Sequence, residues 1–537
     1  MSFQSVFGEI KKTLGIRTRD KRKGEFCAQP MEQLELETTK EYWKETCLLT
    51  NSGQTVDDTT WNDLDMDLVY ESLRFTCSTI GDEILYAMLR DTDVPQEALE
   101  QRRLMMDAFA DGTYREKIRK IMGRQSRQAY HGAGTYLFHP KDKVPGKLAL
   151  YMALPIVLVV FLVLGFVNPI FFFGVACSFA VNLIVYYYSG SLWMREITAV
   201  RHIARVINVA TKLAPQLPDS LSDVAAQLRT LTDEMKPVAR WNALFAMQKI
   251  TDMDYLIDYI RILFQLDMIC LNKLAVFFSN HSSTLRRLYQ LVGEIDAYQA
   301  IAAYRLSGVM YCEPIFDSKL EVEAKGLAHP LVAAPVRNDL DWTRSVLITG
   351  ANASGKSTFT KTMAVNAILA QSILTCTAER FVMPRAHIMT SMAMRDSLQS
   401  GESYFIVEIR SLKRIVDALE QLRPVLCFID EILRGTNTIE RISASQALLK
   451  YIAGQNCLCM AATHDLELTR LLPEYRQMHF REDLTEEGMH FSFKIIEGPS
   501  NTRNAIALLS LMHFPETVTQ SAAQVAEEFA QTGQWTG

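Results

Sequence analysis

The chain has 537 residues, 48% hydrophobic and 22% charged, with 56 Lys and Arg against 61 Asp and Glu for a net charge of −5. That length exceeds what one hydrophobic core serves and suggests three or four units of roughly 150 residues, which excludes a lone small module. The charge balance excludes global basicity as a way of holding nucleic acid, and the composition excludes an acidic disordered chain. A mean hydropathy of +0.02 points to an apolar segment concentrated somewhere along the chain.

Residues 1–56 read as a basic tail, with seven Lys or Arg between Lys11 and Lys23 and no apolar stretch of the kind a secretory signal needs. Solvent or an anionic lipid surface suits such a segment equally. Residues 57–146 read as the first part of a helical core. They carry a second basic stretch, Arg115, Lys117, Arg119, Lys120, Arg124 and Arg127, which suits a solvated helix face or a phosphate contact.

From Leu148 to Met194, 47 consecutive residues carry no charge. The run is too long for one span but fits two helices of about 20 residues, each about 30 Å long, with Asn168-Pro169 breaking it near the middle. The reading is a transmembrane hairpin over 147–194, a buried helical pair in a soluble core being the alternative. Lys141, Lys143 and Lys147 flank one end and Arg195 and Arg201 the other, so the positive-inside bias sets both termini and the C-terminal domain on the cytoplasmic side of the membrane. Tyr186, Tyr187, Tyr188 and Trp193 suit the interface.

After the hairpin, Ile197, Val200, Ala204 and Ile207 repeat at helical spacing, as do Leu285, Leu288, Val292, Ile295 and Tyr298, so residues 195–310 read as a second helical segment. From about Tyr311 to the end, short β-rich runs alternate with helical stretches, the pattern of an α/β domain. The ten cysteines are scattered and read as reduced thiols; Cys457 and Cys459, the one close pair, read as buried strand residues.

The chemistry lies in this last region. Ser345 to Thr349 is a short apolar run leading into Gly350, Ala351, Asn352, Ala353, Ser354, Gly355, Lys356 and Ser357, then a helical stretch from Thr358. This is G-x-x-x-x-G-K-S in a strand-loop-helix context: glycines let backbone amides wrap a phosphate, Lys356 reaches the outer phosphates, and the Ser357 hydroxyl ligates Mg²⁺. Seventy-four residues beyond Lys356, the apolar run Val425 to Ile429 ends in Asp430-Glu431. Asp430 would hold the metal and Glu431 would activate the attacking water. A third apolar run, Leu458 to Ala462, ends in Thr463-His464, and a histidine at the equivalent end of a neighbouring parallel strand would point at the same site.

Gly350 to Thr358, Ser403 to Glu408, Asp430 to Asn437 and Ala462 to Leu468 resemble, in order and spacing, the motifs of the MutS family of DNA mismatch-repair ATPases. The resemblance extends back over His329-Pro330 and Glu294 to Ala300, and over Gly81 to Arg103 and Thr60 to Leu64 in the family's helical core. It implies an ABC-type P-loop domain that hydrolyses ATP with Mg²⁺, a homodimer whose ATPase domains complete each other's sites, and DNA as partner. On that basis Ser403 would reach the γ-phosphate bound by the partner subunit, Asn437 to Glu440 would line the dimer contact, and Phe493 would lie near the adenine, an ordinary strand core position being the other reading of Phe493.

Three departures matter. No N-terminal domain is available to carry the family's intercalating phenylalanine, and an apolar hairpin stands where related proteins continue as soluble helices; Ala351 also replaces the proline usual in the phosphate loop. The expectation is therefore a mostly helical core interrupted by a transmembrane hairpin, followed by an α/β P-loop ATPase domain that dimerises. Its function would be ATP-dependent DNA binding related to mismatch repair or damage sensing, with weak mismatch selectivity. The alternative is a membrane mechanochemical or scaffolding ATPase that does not act on DNA.

Overall fold

The computed structural model describes residues 33–50, 56–123, 132–139, 145–238, 254–350, 354–392, 404–485, 488–500, 506, 509 and 512–532. The basic run Lys11 to Lys23, and Arg124, Arg127, Lys141 and Lys143, lie outside them.

Two stretches far apart in sequence build one helical core. The Thr79–Arg90 helix is capped by Ser78, whose hydroxyl accepts the Gly81 amide at 3.2 Å, and it packs along the Ser282–Leu306 helix. Glycines allow the close approach: a Cβ on Gly81 would fall 2.3 Å from Asp296 Oδ2, and one on Gly293 would fall 2.3 Å from Ile84 Cγ1. Asp296, fully buried, accepts hydrogen bonds from the Cys77 and Ser78 amides and from the Ser78 hydroxyl at 2.6 Å, so the second helix caps the first. Burial raises the Asp296 carboxyl to about 6, with the Ser78 bond opposing that shift. Arg74 forks onto Asp82 at 2.9 Å through two nitrogens in the same buried layer.

Between these halves stand two helices long and apolar enough to cross a membrane, Leu148–Val167 and Phe171–Leu192, which pack against each other. The break falls at Asn168, as the sequence suggests. Only 22% and 11% of their most apolar windows are buried. That is the reverse of a soluble core pair, whose apolar faces are covered. The chain then bends at Trp193 into the Met194–Leu213 helix, whose Val200, Ile203 and Ala204 return to the helical core.

The C-terminal region is α/β. A small sheet has the order β1 (Ile315–Phe316), β5 (Arg380–Met383), β2 (Val322–Leu327), β3 (Asn338–Trp342). The larger sheet has the order β10 (Gly488–Glu497), β9 (Arg476–Thr485), β4 (Val346–Thr349), β8 (Cys457–Ala462), β7 (Val425–Asp430), β6 (His387–Ser391), parallel except for β10. Strands β4, β7 and β8 are buried at every position, which explains their unbroken apolar sequence, Cys457 and Cys459 included. This domain rests on the helical core through Lys361 on Asp65 at 2.7 Å, Thr390 on Asp63 at 2.7 Å and Arg423 on Asp93 at 2.8 Å.

Candidate functional site

Parallel strands point their carboxyl ends the same way, and in this sheet β4, β8 and β7 are consecutive neighbours. Asp430 pairs in register with Ala462, so Asp430-Glu431 and Thr463-His464 leave the sheet side by side, next to the loop that follows Thr349. The Thr463 amide donates to Ile348 O at 3.0 Å and the Glu431 amide to Ala462 O at 2.9 Å, stitching the three strand ends together.

Gly350 and Gly355 adopt φ of +139° and +110°, the left-handed side where a side chain is strained, and a Cβ on Gly350 would meet Phe480 O at 3.0 Å. Ala351, Asn352 and Ala353 lie outside the described residues. Ser354 is buried, and its Oγ has no hydrogen-bond partner among the described residues. The Lys356–Ile373 helix starts at the motif lysine, so its first amides and their partial positive charge face the loop. Lys356 Nζ donates to Gly350 O at 2.7 Å and lies 3.3 Å from His464 Nε2.

Asp430 is largely buried, and burial raises its carboxyl above the ordinary carboxylate range, against the opposing effect of a hydrogen bond from Ser357. Its Oδ1 has no partner among the described residues. A buried carboxylate oxygen and a hydroxyl held beside it are a donor set suited to Mg²⁺, and the unpartnered Ser354 hydroxyl under the helix N-terminus suits a phosphate oxygen.

Glu431 departs from the strand at φ +54° and Leu433 follows at +55°, a strained turn for non-glycine residues. Glu408, on the Tyr404–Leu419 helix, holds it by accepting the Leu433 amide. Glu431 Oε1 lies 3.0 Å from His464 Nε2, and Oε2 lies 2.6 Å from Arg434. Burial first, then the Lys356 cation, pull the His464 imidazole below its ordinary range, with Glu431 opposing. One neutral Nε2 cannot both donate to Glu431 and accept from Lys356; the shorter contact assigns its proton toward Glu431.

The structure thus gathers Gly350, Ser354, Gly355, Lys356, Ser357, Asp430, Glu431 and His464 at one sheet edge, with Thr358 in the first turn of the same helix. Phe493 is 43% exposed, so it is no strand core residue. It sits at φ +51° in a bulge of β10, over Gly355, with Asn338 bonded to Phe493 O and to the Ile495 amide, each at 2.9 Å. Asn437 caps the Thr438–Ala453 helix through the Glu440 amide, and Asn437 to Glu440 are all exposed. Ser403 lies outside the described residues. Sequence reasoning quoted Glu408 and Arg434 within motifs but assigned them no role, and it missed Arg441, which forks onto Asp465 at 2.6 and 2.9 Å; no local periodicity marks such contacts.

Of the basic stretch, Arg115 donates to Phe109 O and Ala110 O, and Lys117 lies over the Tyr114 ring.

Comparison with known proteins gives three findings. Residues 346–530 match the family model for MutS domain V. The chain is 30% identical over 255 residues to a DNA mismatch repair protein MutS of Thermus thermophilus, covering 46% of this chain and 31% of that protein. It is 31% identical over 258 residues to the DNA mismatch repair protein MutS of Thermotoga petrophila, covering 46% of this chain and 32% of that one. The matches thus span about a third of those relatives' own length.

Proposed function

We propose that this chain, which is similar to MutS proteins through its C-terminal domain, is a membrane-anchored ATPase that binds DNA in an ATP-dependent manner. The observation that carries this is the meeting of Lys356, Ser357, Asp430, Glu431 and His464 at the ends of β4, β7 and β8.

ATP and Mg²⁺ supply the phosphoanhydride and the charge that neutralises its transfer. Lys356 and the helix N-terminus bind the outer phosphates, and Ser354 offers its hydroxyl beneath them. Ser357 and Asp430 hold the metal. Glu431 takes the proton of the attacking water, and His464, neutral, orients the Glu431 carboxylate. Ser403 and Asn437 to Glu440 belong to a dimer contact in this reading, and Phe493 offers a ring beside Gly355 for a base to stack on. The exposed apolar faces of the two hairpin helices support a double crossing of the bilayer, and the flanking Lys147, Arg195 and Arg201 favour cytoplasmic termini.

The relatives' description as DNA mismatch repair proteins supports DNA as partner, met mainly at its phosphate backbone. The intramolecular use of Arg115 favours the second reading, a membrane mechanochemical ATPase indifferent to DNA. Purified full-length protein in detergent should hydrolyse ATP, and duplex DNA should stimulate it at low salt and lose that effect as salt rises. ATP hydrolysis without DNA response or DNA binding would leave the second reading, and absence of hydrolysis would refute both.

A further inference from the structure

The Asp254–Leu263 and Leu266–Asn280 helices form a pair: the first packs against the second hairpin helix, and the second packs against both hairpin helices on one side and the Met194–Leu213 helix of the core on the other. Gln265, at φ +52°, ends the first helix and frees carbonyls there. Those groups meet partners from the hairpin. Asn182 Nδ2 donates to Leu263 O at 3.0 Å, and Gln265 Nε2 returns a bond to Asn182 O at 2.7 Å; both side chains are fully buried.

Asn182 stands at the midpoint of the 22-residue Phe171–Leu192 helix, roughly 16 Å from either end at 1.5 Å per residue. Val181 and Ile184, beside it, are exposed and apolar. The turn is therefore level with surface that the membrane reading gives to lipid. Its own outer face matches: Tyr259 is 57% and Phe264 38% exposed, and Ile260 lies between them. The buried carboxylate nearby is faced by an opposite charge. Asp267 accepts from Tyr186 at 2.7 Å and pairs with Arg201 at 2.9 Å. Non-helical backbone is tolerated at membrane depth where protein satisfies it, which is what Asn182 does for Leu263. A turn facing water would need no such partner.

We infer that the turn between these two helices is a third membrane-contacting element, a re-entrant wedge that places Tyr259, Ile260 and Phe264 against lipid acyl chains beside the hairpin. The inference rests on the hairpin crossing the bilayer, and the test separates the two. The photoreactive residue p-benzoylphenylalanine is placed singly at Phe264, at Tyr259, at Ile184 in the hairpin, and at Leu422, fully exposed in the α/β domain. Each full-length variant is reconstituted in phosphatidylcholine vesicles and irradiated, and lipid adducts are read by mass spectrometry. Adducts at 264, 259 and 184 but not at 422 are expected. Adducts at 184 without any at 264 or 259 would overturn the wedge and leave the hairpin standing. Adducts at none of the four would overturn both.

Discussion

Glu431 Oε1 lies 3.0 Å from His464 Nε2 although 33 residues separate them, because β7 and β8 are parallel neighbours that end in register. The candidate base and its orienting group are thus positioned by backbone pairing. Arg434 holds the other Glu431 oxygen, so both oxygens are fixed before any water arrives.

That arrangement separates binding from turnover. Glu431→Gln should keep ATP affinity and lower kcat roughly 10²–10⁴-fold, the usual contribution of a positioned general base, while Lys356→Ala should lose affinity. Nucleotide binding and single-turnover hydrolysis measured on both variants check this; a Glu431→Gln protein turning over at the native rate would remove Glu431 from the role.

The pH profile should follow His464. Because burial and Lys356 hold the imidazole below its ordinary range, it is mainly neutral at pH 7 and takes up its proton at lower pH than a free imidazole does. The acid decline of activity should therefore fall below the range of a free imidazole. The stability linked to this group has the same sign: it is present above the unfolded value near 6.5 and lost as pH falls through the depressed folded value. Asp430, raised by burial, adds a separate acid limb through metal binding. His464→Asn should remove the first and leave the second; an unchanged kcat profile in that variant would exclude His464.

In the helical core, Gly293→Ala should destabilise by about 1–3 kcal/mol, since its methyl would overlap Ile84 and press on Ile80. Thermal unfolding of the detergent-solubilised protein reads this. A change of melting temperature within error would mean the two helices are less closely packed than described.

The hairpin can be tested by charge. Ile184→Arg, near the middle of its helix, should cost roughly 2.5–3.5 kcal/mol on insertion scales, and Leu164→Arg, near the end of its helix, should cost less. The native chain should resist carbonate extraction and the double variant should resist it less; a native chain recovered in the soluble fraction would return the hairpin to the soluble-core alternative.

On DNA, the Arg119→Glu/Lys120→Glu variant should weaken matched and single-mismatch duplexes alike, with affinity falling by roughly 0.9 log units per log unit of salt for each phosphate contact. Titration of both duplexes at two salt concentrations checks it. A mismatch preference above about tenfold, near 1.4 kcal/mol, would require a reader of base identity elsewhere in the chain.

What could be read from the sequence is what chemistry or solvent imposes locally. The glycine-lysine-serine loop, the acids ending one apolar strand and the histidine ending another are legible because each needs particular residues at short spacing. The hairpin is legible because 47 uncharged residues leave few places to be. The bulge at Phe493 was not legible: alternation along β10 reads as ordinary strand, and the Asn338 contact that fixes the bulge comes from 155 residues away. Glu408 reaching Leu433, and Asn182 meeting Gln265 across 83 residues, are likewise products of topology.

The capping of Ser78 by Asp296 also sets a schedule. The two residues are 218 positions apart with the whole hairpin between them, so the first half of the helical core leaves the ribosome without its partner. At roughly 5–20 residues per second it waits on the order of ten to forty seconds, with Ile80, Ile84 and Leu85 uncovered, until the chain past the hairpin has been made. Closure of the core thus follows synthesis of the hairpin, and a chain stopped before residue 296 would leave an aggregation-prone half-core behind it.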